Sequence, residues 1–295
     1  LYLKREDGPV LDVAPTMPAR PRIKIGTMKV DAHGTRLGER FIKKALDHAI
    51  CENAPELYVT VFPKHTSLID LFEQFGFVKY GRKTSSNGTE LVLTKTLGAM
   101  TGDAWRDYPV IDARGTQKLL LAIHPQWHTK LFPDSILRNE TYDLLGDVSH
   151  TNSIQKTYVC FMDLPPLRTG DAVVIYRTSD GKGPAEYRSV ATSICAVTEM
   201  RGKASFAGVK EYIEFTEPFS VFSADELQQW WNRGSRLWVL KMLYNAALTK
   251  RLIRKDLADK VGMDRNGYWG YRDLTDDQFA HIVTLGGVDG RLVVN

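Results

Sequence analysis

The stretch from Met28 to Ala49, MKVDAHGTRLGERFIKKALDHA, constrains this chain more than any other. Ile23–Val30 reads as a strand, Asp31, Ala32, His33 and Gly34 read as a turn, and a helical period follows from about Thr35 to Ile50. Leu37, Phe41, Ala45 and Ala49 recur every four residues with Ile42, Leu46 and Ile50 beside them. Glu39, Arg40, Lys43, Lys44 and Asp47 fall largely on the other side. One face of such a helix anchors to a sheet while its N-terminus stays available. The first-turn N–H groups lack intrahelical acceptors and the helix dipole adds positive potential there, so a phosphate is a natural ligand. Glycine lets a large anion approach the backbone, and Arg36 could add a charge-assisted contact. No GKS or GKT follows, and the GxGxxG spacing is absent, so this is neither a Walker loop nor a dinucleotide fingerprint.

The surrounding text alternates strand and helix. Leu1–Arg5 and Val10–Val13 read as short strands, Leu57–Phe62 as a strand and Ser67–Phe75 as a short helix. Gly76 releases the chain into Phe77–Tyr80, and Asn87–Gly88 turns it toward Glu90–Thr94. Residues 23–80 resemble the GNAT acyltransferase superfamily, which uses acyl-coenzyme A. The family pattern R/Q-x-x-G-x-G/A meets His33-Gly34-Thr35-Arg36-Leu37-Gly38 here, with His33 at the Arg/Gln position and Arg36 at the central glycine. The family's L-Y-E-x-x-G-F segment meets Leu71–Phe77. The resemblance implies that Val30, Gly34, Thr35, Arg36, Leu37 and Gly38 cradle the pyrophosphate of acetyl-CoA. It also implies that the pantetheine arm lies between the strands holding Lys29–Val30 and Tyr58–Thr60. Amine attack on the thioester needs a base, for which Asp31, His33 and His65 are the candidates. Phe72 stands where the family often carries an acidic tyrosine and cannot donate a proton. Complete family domains also have a strand and helices upstream of this region. The chain opens without Met, as if already in a strand, so an upstream domain or a partner protein is expected.

Gly98–Thr151 is harder to place and reads as a bridge. It holds elements around Gln117–Ile123 and Tyr142–Val148, and the phrase HPQWHTKLFPDS fits neither period. From Gln155 the text becomes strand-rich: KTYVCFMDL, DAVVIYRT, SVATSICAVTEM and VKEYIEFTE, the first three set apart by turn signals. That spacing suggests a small barrel. Ser223 and Glu226 form a capping-box pattern, with Phe222 placed to staple against Leu227, and a further helix is expected over Leu237–Leu252. Asn152–Lys156 (N-S-I-x-K) and Leu167–Arg177 (L-x-x-G-D-x-V-x-x-Y-R) resemble PUA-like domains of the ASCH and EVE type, which commonly bind RNA or a modified nucleobase.

Lys156, Arg168 and Arg177 bracket the strands and are candidate polyanion contacts. The span Lys241–Lys260 holds six basic residues against two acids, with Lys250, Arg251 and Arg254 forming a basic helical stripe. Trp230, Trp231 and Trp238 offer stacking surface, although at least two are expected in the core. Lys210 with Glu211 or Glu214 is the weakest candidate set, for base hydrolysis.

The expected fold is mixed α/β: a partial GNAT-like sheet flanked by helices (1–97), a bridge (98–151) and a PUA-like small β-barrel with a helical tail (152–295). The expected function is transfer of an acetyl group from acetyl-CoA to an amine, coupled to RNA binding. The alternative is a non-catalytic RNA- or nucleotide-binding protein with a degenerate acyltransferase domain, and a scaffold that binds other proteins is a third class. Three scattered cysteines with no CxxC argue against a disulfide framework and a cysteine-rich zinc site, so no metal is expected. No apolar run approaches the ~18 residues of a membrane span. A cytoplasmic location follows as the expectation.

Overall fold

The computed structural model describes residues 1–28, 36–135 and 152–295. It divides into two compact units, Leu1–Val110 and Ile111–Asn295. The text read as a bridge is therefore split. Its first residues complete the first unit, Gln117–Ile123 enters the sheet of the second, and Tyr142–Val148 lies outside the described residues.

The first unit contains β1 (Tyr2–Glu6), β2 (Arg22–Thr27), α1 (Leu37–Cys51), β3 (Glu56–Val61), α2 (Thr66–Gln74), β4 (Val78–Ser85), β5 (Gly88–Thr96) and a single turn, α3 (Ala104–Asp107). Its sheet runs β1-β2-β3-β5-β4, with only β2 and β3 parallel. A parallel pair needs a crossover, which α1 supplies by burying Ile42, Ala45, Leu46 and Ala49. β2 and β3 pair from Arg22↔Glu56 to Ile25↔Val59. Beyond that point Thr27 pairs with β1, while Thr60 and Val61 pair with β5. Val10–Val13 is not a strand; Val10 makes one bridge, to Met17. Gly76 has φ +80, and a Cβ there would lie 2.2 Å from the Arg106 carbonyl oxygen, so both backbone and space demand glycine.

The second unit begins with β6 (Ile111–Asp112), β7 (Lys118–Ile123), α4 (Pro125–Leu131), β8 (Gln155–Cys160), β9 (Ala172–Arg177) and α5 (Ala185–Arg188). It continues through β10 (Val190–Gly202), α6 (Val209–Thr216), α7 (Ala224–Asn232), β11 (Trp238–Ile253), α8 (Arg254–Asp259), β12 (Tyr271–Asp273), α9 (Asp276–Leu285) and β13 (Val293–Val294). Six strands form one sheet, β12-β7-β9-β10-β11-β8. Its edges, β12 and β8, are not paired with each other among the described residues. The expected small barrel is thus an open sheet.

Every residue of β7, β8 and β9 is buried, which is why their text shows little alternation. Leu119, Leu121, Val173 and Ile175 face a core shared with Leu131, Phe132, Tyr212 and Leu227. Leu120, Ala122, Val174 and Tyr176 face a second core closed by Leu257, Phe279 and Ile282. Helices therefore cover both faces of the sheet.

Two expected elements are corrected. Leu237–Leu252 is not a helix; it is the body of β11, hydrogen-bonded between β10 and β8. A strand buried on both faces carries no period that separates it from a buried helix, and the pairing partners decide. VKEYIEFTE is the converse case. Its β-branched and aromatic residues read as strand, but Tyr212 and Thr216 share the buried face of α6. Lys210 and Glu214 consequently form an exposed helical ion pair at 3.9 Å, which removes the base-hydrolysis idea. The Ser223–Glu226 capping box forms as expected, and Phe222 and Leu227 are buried in the same core.

Candidate functional site

The second unit holds a cavity of about 1060 Å³, near the upper end of small-ligand sites. It draws on both edges of the open sheet: Tyr158, Val159 and Cys160 of β8 on one side, and Gly270 and Tyr271 at β12 on the other. Ala122 of β7 and Tyr176 of β9 contribute between them, so the cavity occupies the seam where a barrel would close. Tyr158 Oη reaches the Ala122 carbonyl at 3.5 Å near this seam.

Two aromatic groups form its walls. In the first, Trp230 stands edge-on to Phe222 (4.3 Å between centroids), Phe161 (5.9 Å) and Trp127 (6.5 Å). In the second, Tyr176 and Trp269 lie 5.4 Å apart at a shallow 36°. Such edge-to-face and tilted contacts fix the orientation of the rings, and Trp269 also carries the Arg254 and Arg272 guanidinium groups at 4.6 and 5.2 Å from its centre.

Cations surround the aromatic surface. The Arg233 guanidinium lies 4.9 Å from the centre of Phe161, and that of Arg254 lies 4.6 Å from the centre of Trp269. Arg236 is exposed and also contributes to the lining, whose one carboxylate among the described residues is Asp163. The balance favours an anionic or electron-rich occupant. Burial pushes the Cys160 thiol up to about 12, and it raises the Tyr158 phenol as well. Both stay protonated at neutral pH and act as neutral wall.

Of the six residues expected to contact nucleic acid, one reaches this cavity. Arg254 lines it. Lys156 and Arg177 are buried at 1% and 4% exposure, closed to a polyanion by the packing of β8 and β9. Arg168 is exposed but precedes the start of β9, whereas the cavity collects at that strand's far end. Lys250 is exposed outside the cavity lining, and Arg251 Nη1 donates to the Thr192 carbonyl at 3.0 Å. With β11 a strand, the three do not form a helical stripe. Trp230 lines the cavity, whereas Trp231 and Trp238 pack against the core.

The residues missed were Trp127, Phe161, Arg233, Arg236, Tyr268 and Trp269. A local signal existed in the run Asn266-Gly267-Tyr268-Trp269-Gly270-Tyr271, three aromatics interleaved with glycine, and in Trp230–Trp231 followed by Arg233 and Arg236.

In the first unit, Val30, Asp31, His33, Gly34 and Thr35 lie outside the described residues. Arg36 has φ +54, the left-handed conformation that a glycine would take without strain. Its Nη1 donates to Glu39 Oε1 at 2.8 Å, so its charge is already engaged in the first turn of α1. Leu37 opens the helix. Gly38 was expected to make room for an anion; instead a Cβ there would meet Leu71 Cδ2 at 2.9 Å, so the glycine serves close packing against α2. His65 is exposed at the start of α2 and makes no capping bond through its side chain. Phe72 is fully buried, edge-on to Phe77 at 4.9 Å, as a core residue. Among the described residues, no three His, Cys, Asp or Glu side chains are grouped to hold a metal, and no helix is long and apolar enough to cross a membrane.

No protein-family model matches the sequence, and no curated protein does either. Several solved structures align with a little over half of this chain, at TM-scores below 0.4. ASCH from Zymomonas mobilis is 8% identical, with a TM-score of 0.39, over 57% of this chain and 94% of its own. The N-terminal domain of Thermococcus gammatolerans McrB, bound to m5C DNA, is 11% identical with a TM-score of 0.33, over 57% of this chain and 96% of its own. Human THYN1 in complex with DNA containing 5-methylcytosine is 7% identical with a TM-score of 0.32, over 59% and 99%. At these identities and scores the likeness assigns no residue a role.

Proposed function

We propose that the second unit binds nucleic acid by taking one unstacked base into the aromatic cavity. The observation that carries this reading is the pairing of two rigid aromatic groups, around Trp230 and around Trp269, with Arg233 and Arg236 at the lining. An aromatic lining can receive a planar base, and stacking on an aromatic side chain contributes about 1–3 kcal/mol per base. Arginines beside the opening meet the phosphates that follow the base. A base within a duplex must be extruded to enter such a site, so an unpaired or mismatched position binds best. The chemistry is recognition: Cys160 is protonated, and the activity we assign to the unit is binding.

The test is fluorescence anisotropy of the full chain with short oligonucleotides carrying one unpaired position. That position holds each ordinary base, 5-methylcytosine (the base in the two DNA complexes above) or an abasic sugar, in DNA and in RNA. About tenfold tighter binding with a base than with the abasic sugar supports the reading. Equal affinity across the set rejects it.

A separate proposal concerns the first unit. The order β1-β2-β3-β5-β4, with the parallel pair sharing no rung beyond Ile25↔Val59, supports a site for acetyl-CoA beside α1. The Arg36–Glu39 ion pair and the buried Phe72 favour binding without acyl transfer. Calorimetric titration with acetyl-CoA decides it, and absence of heat retires the cofactor from the account.

A further inference from the structure

The chain contains two Asn-Gly pairs, Asn87-Gly88 and Asn266-Gly267. Such a pair can modify itself, because glycine lacks the Cβ that would shield its backbone nitrogen from the preceding side chain. The fold treats the two differently. Asn87-Gly88 closes the hairpin between β4 and β5, with Gly88 held in the ladder opposite Ser85. Asn266-Gly267 lies in the loop between α8 and β12, in neither helix nor strand. Asn266 is exposed, and its side-chain amide makes no hydrogen bond among the described residues.

Conversion begins at the glycine nitrogen. Gly267 N–H gives up its proton, the nitrogen attacks Asn266 Cγ, ammonia leaves and a five-membered succinimide closes. Water then opens either carbonyl of the ring to aspartate or isoaspartate, so one water is consumed for each ammonia released. Gly267 N–H is loosely engaged, donating to the Asp264 carbonyl at 3.4 Å, beyond the usual hydrogen-bond range. The Arg272 guanidinium lies against this glycine, since a Cβ on Gly267 would sit 2.6 Å from Arg272 Nη1. A fixed positive charge beside an N–H favours its deprotonated form. The Asn266 N–H donates to Asp264 Oδ1 at 3.0 Å, which holds the main chain while the side chain stays free to turn.

We infer that Asn266 is a self-modifying site which the fold leaves open, whereas it protects Asn87. The product places a carboxylate just before Tyr268, Trp269 and Gly270, all of which line the cavity. In its isoaspartate form it also lengthens the main chain of that loop. Trp269 carries the Arg254 and Arg272 guanidinium groups on its ring, so the new negative charge stands beside this cationic cluster. Resting on the nucleic-acid reading above, conversion lowers the affinity of the unit for a polyanion.

The experiment incubates the full chain at mildly alkaline pH, with thermal unfolding as a folding control. Peptides holding Asn87 and Asn266 are followed by mass spectrometry, in which conversion adds about one mass unit. The urea-unfolded chain, where neither pair is protected, supplies the reference rates. Relative to those rates, Asn266 should convert about fivefold or more faster than Asn87 in the folded chain. Gly267→Ala should suppress conversion, and Arg272→Gln should slow it about two- to threefold. Equal conversion of the two pairs, or an intact Asn266, overturns the site. If Gly267→Ala does not fold, the comparison of Asn266 with Asn87 in the wild-type chain decides. The consequence is read separately, by titrating Asn266→Asp with a single-stranded oligonucleotide at low salt, where about two- to threefold weaker binding is expected. Binding unchanged in Asn266→Asp overturns the consequence and leaves the modification standing. Absence of binding by the wild-type chain overturns the nucleic-acid reading instead.

Discussion

Arg254 and Trp269 are pinned by a single carbonyl. Arg265 O accepts from Arg254 Nη2 at 3.0 Å and from Trp269 Nε1 at 3.3 Å, while the guanidinium rests 4.6 Å from the centre of the indole ring. The cation, the ring and the loop between α8 and β12 are thus one rigid piece of the cavity wall.

That linkage makes the two side chains energetically coupled. Trp269→Leu and Arg254→Lys are each expected to weaken base-dependent binding, and the double variant should lose less than the sum. A coupling of about 1 kcal/mol in a double-mutant cycle is the expected value. Strict additivity would show that the stack does not position the arginine.

Phosphate contact is assigned to the lining arginines, and this can be separated from base recognition by salt. Replacing Arg233 and Arg236 with Gln should reduce the slope of log K against log salt by about 1.5 in total. Lys250→Gln, outside the cavity, should leave it unchanged. A slope that responds to Lys250 alone would move the backbone path to β11.

The pH dependence of the second unit is set in part by His128. The ring is fully buried, its Nε2 lies 2.8 Å from Thr192 Oγ1, and Nδ1 has no hydrogen-bond partner among the described residues. Burial first, then the nearby Arg177 and Arg251 charges, lower its pKa from 6.5 to about 3. Between those values the unfolded chain binds the extra proton, so stability falls as pH drops from about 6.5 toward 3, by up to about 1.4 kcal/mol per pH unit. Thermal unfolding followed across this range should show a shallower decline in His128→Phe.

The first unit depends on a charge pair at the cross-strand position Arg22↔Glu56. Arg22 Nε donates to Glu56 Oε1 at 2.9 Å, with the two residues 0% and 2% exposed. Nη1 and Nη2 also bond the carbonyls of Gly8 and Pro18. Glu56→Gln leaves a buried guanidinium without its counter-charge and should cost about 3–5 kcal/mol in chemical denaturation. A loss under 1 kcal/mol would mean that Arg20, which also pairs with Glu56, and the carbonyls suffice.

Thiol labelling offers a direct check on the cavity wall. Cys51 is exposed, whereas Cys160 and Cys195 are buried and the Cys160 thiol is raised to about 12. Iodoacetamide at neutral pH should modify Cys51 alone in the folded chain, read by mass spectrometry. Rapid modification of Cys160 would mean that the cavity wall opens in solution.

Much of the local architecture was legible because neighbours in the chain decide it. The amphipathic spacing of Leu37–Ile50 and the Ser223–Glu226 cap depend on interactions within a few residues, and the β-branched and aromatic text of Gln155–Cys160 and Ala172–Arg177 marks strands before their distant partners are known. β11 was not legible, because an apolar run buried on both faces has no distinguishing period until β10 and β8 pair with it.

The candidate site lay further out of reach. Its walls come from Trp127, Phe161, Trp230 and Trp269, residues spread over much of the second unit and brought together only by the curl of one sheet and its covering helices. Charge in the text could not tell Arg254, in the cavity, from Lys156 and Arg177, sealed beneath it. The amino-acid order alone determined the helix caps, the turns and the amphipathic helix over Leu37–Ile50, since those are short-range energies, and it left the pairing of the strands open. Tertiary structure decided which cations meet solvent and where the aromatic faces converge, since burial is a property of the whole packed chain.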